Sequence, residues 1–479
     1  MNYFIIIQIL GWIFQLQGIF MLPPCLVGFI YKEHHDAIIY LVISILCTII
    51  GLLLRKIKPK TTTFFAKEGF VAVSLSWIGL SLTGAIPFVL NGDIPSFTDA
   101  LFEIISGYTT TGSTILTNVE GLSHANLFFR SFSHWIGCMG VLVFILSILP
   151  MTGGSTMNLL KAESPGPSVG KLVPKMQQTA LYLYAIYIVM TIIELILLLL
   201  GGMSLFDSLC HTFGTAGTGG FGIKNDSLTS YSPYLQMVIT LFMFLFGVNF
   251  TFYYYILIRH VKDAFKMEEV HWYICICFGA VILLMINLVS NGYPFWETLR
   301  HVLFQVSSII TTTGYATTDF NTWPEFSRGL MVCLMFSGAC AGSTSGGIKI
   351  SRIMLYVKQV SKELLQQIHP KRVHIIKIEG KALPHNTAHS CNVLLMTYII
   401  VYIVSFLLVS LDGFDITTNF TSIMATLNNV GPGLNMVGPV GNFSEFSDFS
   451  KYIFMFNMLA GRLEIIPILL LFSPSTWRK

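Results

Sequence analysis

The sequence predicts an all-α integral membrane protein in which four pseudo-repeats of helix, re-entrant loop and helix surround one axis, preceded by two additional helices. Three observations predict it. Of 479 residues, 53% are apolar and only 11% charged, with a mean hydropathy of +0.69, a composition outside the soluble globular range. The segment Leu101-Phe102-Glu103-Ile104-Ile105-Ser106-Gly107-Tyr108-Thr109-Thr110-Thr111-Gly112 returns in register as Leu303-Phe304-Gln305-Val306-Ser307-Ser308-Ile309-Ile310-Thr311-Thr312-Thr313-Gly314, which marks an internal repeat. Basic residues alternate along the chain: segments 55–68, 151–178, 259–270, 349–388 and 473–479 hold 21 of its 28 Lys and Arg.

Apolar stretches long enough to span a bilayer, about 20 residues each, fall near 3–30, 37–54, 69–90, 125–149, 178–200, 233–258, 271–290, 327–357, 389–411 and 451–472. The first is too long for a signal-peptide core and lacks a cationic start, so it is expected to be retained as a helix. Ten spans put both termini on one side. The segments alternating with the basic ones, 91–124, 202–236, 290–326 and 412–450, carry only Lys224 and Arg300 against 13 Asp and Glu. The positive-inside rule therefore makes the basic segments and both termini cytoplasmic.

Weaker copies of the repeated segment lie at Thr215-Ala216-Gly217-Thr218-Gly219-Gly220-Phe221 and Leu427-Asn428-Asn429-Val430-Gly431-Pro432. With Gly112, Gly219, Gly314 and Gly431 as anchors, the separations are 107, 95 and 117 residues, and all four anchors fall in outward segments. The expected organisation is two extra helices with a loop (1–68), repeat 1 (69–150), repeat 2 (151–258), repeat 3 (259–357), a linker (358–388) and repeat 4 (389–479). Each anchor follows an apolar run too short to span, such as 97–105 or 206–213, which suits a half-helix that enters and returns on one side. Two of these runs open with Ser-x-x-Asp, at Ser96/Asp99 and Ser204/Asp207, a helix-start signal.

Non-helical backbone at membrane depth is tolerated only where protein or water satisfies it. A dehydrated cation can supply that satisfaction, because carbonyls replace its hydration shell. Glycine permits the backbone angles this requires, and the C-terminal end of each half-helix favours positive charge. Four outward copies together point to a cation pore. The candidate positions are Thr110, Thr111 and Gly112; Thr218 and Gly219; Thr312, Thr313 and Gly314; and Asn429, Val430 and Gly431.

Two further features lie inside the apolar spans. Arg462 interrupts 452–472, where a central arginine costs roughly 3 kcal/mol on insertion scales; Glu464, two positions on, lies on another helix face. The segment 338–347 has four glycines and three hydroxyl residues and cannot sustain a helix well, so a break in the membrane is expected there. Its spacing of Gly342, Gly347 and Lys349 lacks the final Gly-Lys-Ser/Thr of a phosphate loop. Lys349 and Arg352 also fit as charges at a cytoplasmic helix end. The nine cysteines form no disulfide or metal framework, the histidines show no catalytic pairing, and neither an enzyme nor a nucleic-acid partner is expected.

With these residues in view, the chain resembles the TrkH branch of the Trk/Ktr/HKT potassium transporter superfamily. The glycines within Thr-Thr-Thr-Gly, the degenerate Asn-Val-Gly-Pro copy, the two extra helices and Gly461-Arg462-Leu463-Glu464 carry the resemblance over almost the whole chain. It implies a potassium filter at the four repeats, potassium as the transported ion and no organic cofactor in this chain. It further implies that Gly342, Ser343, Thr344, Gly346, Gly347 and Lys349 belong to an intramembrane gate, and that Arg462 faces the pore below the filter. A homodimer in a bacterial inner membrane and a cytosolic nucleotide-binding regulatory subunit of TrkA type are implied as well. A proton- or sodium-coupled symporter with alternating access is the alternative. The chain departs from the family at Ala216-Gly217, expected to loosen the filter wall, and at Ser345, expected to stiffen the gating loop.

Overall fold

The computed structural model describes residues 1–57, 66–138, 176–371, 374–383 and 385–477. The expected end of the fourth span (139–149) and most of the 151–178 segment lie outside these residues. Six described helices are long and apolar enough to cross a membrane: Tyr3–Ile30, His34–Arg55, Lys67–Asn91, Leu181–Leu200, Glu268–Ser290 and Thr387–Asp412. The pair Pro233–Phe246 and Phe250–Leu257 counts as a seventh, bent by 88°.

Among the described residues, the expected spans 233–258, 327–357 and 451–472 are interrupted, the second of them where a break was expected. The second span is broken in repeats 2, 3 and 4. In repeat 2 the bend falls at Gly247–Asn249, where Asn249 caps the next helix by accepting from Thr251 N–H at 2.9 Å. In repeat 3, Glu325–Phe336 and Ile350–Ile368 are separated by the glycine-rich loop. In repeat 4, Asp448–Arg462 stops before Ile466–Phe472 because Glu464 and Ile465 adopt φ of 58° and 65°, angles that a helix cannot continue through.

Between the spans of each repeat lies one short helix: Phe97–Tyr108, Leu205–Ala216, Phe295–Ile310 and Ile416–Leu427. At 12 to 16 residues each reaches about 18–24 Å, short of a 30 Å hydrocarbon core. The expected starts are observed. Ser96 accepts from Asp99 N–H at 3.3 Å and Ser204 from Asp207 N–H at 3.1 Å. The fourth starts on Asp415, which accepts from Thr418 N–H at 3.0 Å. Partial burial raises the Asp415 carboxyl, but hydrogen bonds from Thr418 and Asn435 outweigh it and hold it below the usual carboxylate range.

The two N-terminal helices pack along a seam of small residues. A Cβ at Gly51 would lie 2.6 Å from the Gly11 carbonyl oxygen, and one at Gly18 would lie 2.7 Å from the Ser44 oxygen. This pair buttresses repeat 1. Buried Gln17 accepts from Tyr108 O–H at 2.9 Å, and Tyr40 donates to Asn126 at 2.6 Å. In the basic linker, Lys377–Ile378 and Lys381–Ala382 form a two-stranded antiparallel hairpin, the one β element among the described residues.

Candidate functional site

The four half-helices end in one backbone motif. The amide of Thr111 donates to Ser106 O at 2.9 Å, and Gly219, Thr313 and Val430 donate five residues back to Gly214, Ser308 and Ala425, each at 2.8 Å. The residue before each donor is left-handed, with φ of 56° at Thr110, 49° at Thr218, 56° at Thr312 and 54° at Asn429. The residue after each is a left-handed glycine: Gly112, Gly220, Gly314 and Gly431, with φ of 82°, 76°, 86° and 99°.

This corrects the register of the second repeat. The anchor assigned to Gly219 belongs to Gly220, and Gly219 occupies the place of Thr111, Thr313 and Val430. Two adjacent glycines concealed the one-residue shift.

The four glycines close a ring. A Cβ at Gly112 would lie 2.2 Å from Gly219 O, one at Gly220 1.9 Å from Thr313 O, one at Gly314 2.4 Å from Val430 O, and one at Gly431 2.8 Å from Thr111 O. Each anchor thus packs on the carbonyl preceding the next repeat's anchor, and the fourth packs on the first. All four line a single cavity of about 170 Å³. Ser113 Oγ donates to Gly431 O at 3.0 Å, and Asn429 Nδ2 donates to Thr111 Oγ1 at 2.8 Å, joining the last repeat to the first.

Side chains behind the ring hold it. Thr109 and Thr111 pair their hydroxyls at 2.7 Å, and Thr311 and Thr313 do so at 2.8 Å. In the second repeat these places fall to Gly217 and Gly219, and buried His134 fills the space. A Cβ at Gly219 would lie 2.1 Å from His134 Nδ1, and one at Gly217 2.6 Å from His134 O. His134 Nδ1 bonds Gly107 O at 2.8 Å, and its Nε2 accepts from Phe221 N–H at 3.3 Å. The wall that Ala216-Gly217 was expected to loosen is filled from the neighbouring repeat.

Sequence reasoning also missed a buried ion pair. Glu103 accepts from Arg130 Nε at 2.7 Å, from Thr114 Oγ1 at 3.0 Å and from Ile115 N–H at 3.1 Å. Arg130 in turn donates to Gly222 O at 3.2 Å and lies 3.9 Å from the Phe221 ring centroid. The pair staples the chain leaving the first ring position to that leaving the second. Its signal was present: two ionisable residues within apolar runs.

On the other side of the ring, Arg462 Nη1 donates to Thr110 Oγ1 at 3.3 Å and Thr344 O at 3.4 Å, and Nη2 donates to Gly137 O at 2.8 Å and to Cys138 O. It bridges a ring residue to the 338–347 loop. That loop is clamped from three sides. Gly346 N–H donates to Thr312 Oγ1 at 2.7 Å, Thr344 Oγ1 donates to Phe246 O at 3.2 Å, and Glu269 accepts from Ala341 N–H at 2.6 Å and Ser351 N–H at 3.1 Å. Gly342 and Gly347 both take φ of 68°. Ser343 donates to Cys340 O at 2.6 Å and pairs with Ser345 Oγ at 3.0 Å, while Ser345 Oγ accepts from Ala339 N–H and Lys349 Nζ, both at 3.1 Å. Ser345, where the family commonly has glycine, thus cross-links the loop to itself and to Lys349. Lys349 is buried beneath the loop and Arg352 pairs with Glu464 at 2.7 Å, so neither is a solvated topology charge.

Fold and site together define a multi-pass membrane transport protein built on four re-entrant loops closed into a ring. The chain matches the TrkH cation transport protein family over residues 35–479, and it belongs to that family, which is one of transporters and not of enzymes. It is 35% identical over 489 residues to the Trk system potassium uptake protein TrkH of Escherichia coli K12, covering 100% of both. It is 31% identical to TrkG of the same strain, covering 99% of this chain and 98% of that one. The crystal structure of the potassium transporter TrkH from Vibrio parahaemolyticus superposes with a TM-score of 0.89 at 32% identity, over 100% of both chains.

Proposed function

We propose that the chain is the potassium-translocating membrane subunit of a Trk-type uptake system. The observation that carries this reading is the ring, in which four equivalent left-handed glycines each seat on the carbonyl of the next repeat. Carbonyls at Thr111, Gly219, Thr313 and Val430, with those of Thr110, Thr218, Thr312 and Asn429 and of the anchors Gly112, Gly220, Gly314 and Gly431, would replace the hydration shell of potassium. The half-helix ends behind them add favourable dipoles. Potassium is the transported ion, and no organic cofactor takes part.

The 338–347 loop is the gate and Arg462 a fixed charge beside the path. Support comes from their bridging contacts with Thr110, Thr312 and each other. The basic linker, the Ile350–Ile368 helix and the hairpin form the docking face for a cytosolic nucleotide-binding subunit of TrkA type. The protein works as a homodimer in the bacterial inner membrane with both termini cytoplasmic, and the segments 69–150, 151–258, 259–357 and 389–479 are its four repeats.

The test is potassium and sodium flux into liposomes under a set membrane potential and no proton gradient. Gly112→Ser is expected to lower the potassium-to-sodium ratio by about tenfold or more, because the 1–2 kcal/mol needed to hold a side-chain-bearing residue at left-handed φ is joined by a Cβ 2.2 Å from Gly219 O. A mutant with wild-type selectivity would refute the filter. Flux that appears only under an imposed proton or sodium gradient, with no conductance, would replace the pore by a coupled symporter.

The gate is tested separately at Glu269. Glu269→Gln keeps the shape but removes the charge from two backbone hydrogen bonds of about 1.5–3 kcal/mol each, so the loop should open more readily. Higher potassium flux without any cytosolic partner is expected. Flux equal to wild type would count against the loop as the gate.

A further inference from the structure

The second half-helix carries a polar face that the ring does not use. Asp207, His211 and Thr215 follow at intervals of four along Leu205–Ala216, so they line one side from its first turn to its last. Beside Thr215 lies Glu194, from the crossing helix Met176–Leu200. Glu194 is fully buried, and neither of its carboxyl oxygens has a hydrogen-bond partner. The Thr215 hydroxyl is committed to His211 O at 2.9 Å.

The outer part of this line is connected, from Asp207 through Tyr231 to the His211 ring. Tyr231 donates to Asp207 Oδ2 at 3.3 Å and meets His211 Nε2 at 3.1 Å, while His211 Nδ1 is buried without a partner. Tyr315 reaches in from the third repeat, donating to His211 O at 3.4 Å and Phe221 O at 3.2 Å.

The titratable groups nearest this site are neutral or acidic, with one cation at its outer end, Lys224, whose ammonium lies 4.3 Å from the Tyr231 ring centroid and donates to Ser230 Oγ at 3.1 Å. The half-helix presents Cys210, His211 and Asp207, the loops Tyr231 and Tyr315, and the bent pair Tyr234, which donates to Leu197 O at 3.3 Å on the helix that carries Glu194. Cys138 donates to Ala216 O at 3.6 Å and Tyr187 to Trp135 O at 3.2 Å. The Arg130 guanidinium is engaged by Glu103 and Gly222. An ionised Glu194 would thus have no countercharge, and no donor beyond the Thr215 hydroxyl that is already given to His211 O, in an apolar interior, a state that costs several kcal/mol or more. The described residues offer no group of three ligands for a metal ion. The ligand left is a proton.

We propose that Glu194 is a proton-binding site behind the second ring segment, filled from the outer face by way of Asp207, Tyr231 and His211. The carboxylate takes up a proton from outer water and releases it by the same route, with no other bond made or broken. Its charge sets how firmly the segment is held, because Thr215 O accepts from Thr218 N–H at 2.9 Å and Gly214 O from Gly219 N–H at 2.8 Å. This second half of the proposal rests on the ring being a potassium filter.

The site is tested first without transport, by infrared difference spectroscopy of the purified protein. A protonated carboxyl band at neutral pH is expected, shifting in heavy water and missing from Glu194→Gln. The link to the filter is tested by the potassium-to-sodium flux ratio in liposomes. That ratio should fall by about fivefold or more as the outer pH is raised from about 6 to 9 in wild type, the range of ordinary site-to-site coupling. Glu194→Gln should show no such fall. A wild-type protein without the band, or the same pH dependence in both proteins, overturns the proposal. A band present in a wild type that never selects potassium overturns the filter reading instead and leaves the proton site standing.

Discussion

Replacing Gly220 by alanine is expected to abolish potassium-selective flux, and no neighbouring substitution should rescue it. Its φ of 76° already costs a side-chain-bearing residue about 1–2 kcal/mol. The larger obstacle is that the new Cβ would lie 1.9 Å from Thr313 O and 3.2 Å from Gly314 C, both backbone atoms of the next repeat. The ring must open for it to fit. Gly219→Ala fails for a different reason, since its Cβ would meet the His134 ring. Pairing it with His134→Ala should recover part of the flux, because the obstruction is then gone. Flux ratios of the two single variants and the two pairs with His134→Ala decide the matter. A selective Gly220→Ala protein, or equal rescue of both variants, would return the anchor to Gly219.

The second large effect is expected at Arg130. Arg130→Met leaves Glu103 charged and fully buried with only Thr114 and Ile115 as donors, and breaking one side of such a pair typically costs about 3–5 kcal/mol. Glu103→Gln should cost less than this, because a neutral amide remains beside the guanidinium. Joining the two changes should cost less than their sum, since each removes the same interaction. Thermal unfolding in detergent measures the stability, and the flux ratio measures whether the staple also sets selectivity. A loss for Arg130→Met below about 1 kcal/mol, the range of an exposed pair, would show that the buried pair is not holding the ring.

Much of this architecture was legible because the repeat was written in residue types that have no cheap substitute. A left-handed position packed on a carbonyl admits glycine alone, so Gly112, Gly314 and Gly431 stood out by spacing. The second copy was misread by one residue because Gly219 is a glycine for another reason, its contact with His134, and a string of letters does not distinguish the two causes. The loop at 338–347 and the special position of Arg462 were visible as violations of apolar patterning. The breaks at Gly247–Asn249 and at Glu464–Ile465 were not, because apolar residues on both sides continue the hydropathy signal through a bend. The pairs Glu103–Arg130 and Arg352–Glu464 join residues far apart in the chain, where no local pattern operates. Glu269 clamps a loop that begins some 70 positions after it.

The closure of the ring from first repeat to last also governs when it can exist. Ser113 and Gly431 are 318 positions apart, as are Asn429 and Thr111, so the final wall is supplied only once the C-terminal quarter has been made and inserted. Until then the nascent chain holds three walls and an open side, and such long-range closure is the slow, late class of folding event. Biogenesis thus separates insertion, which proceeds helix by helix, from closure of the ring, which comes at once at the end. A chain that stalls or is truncated before residue 431 lacks the fourth wall and cannot close the ring.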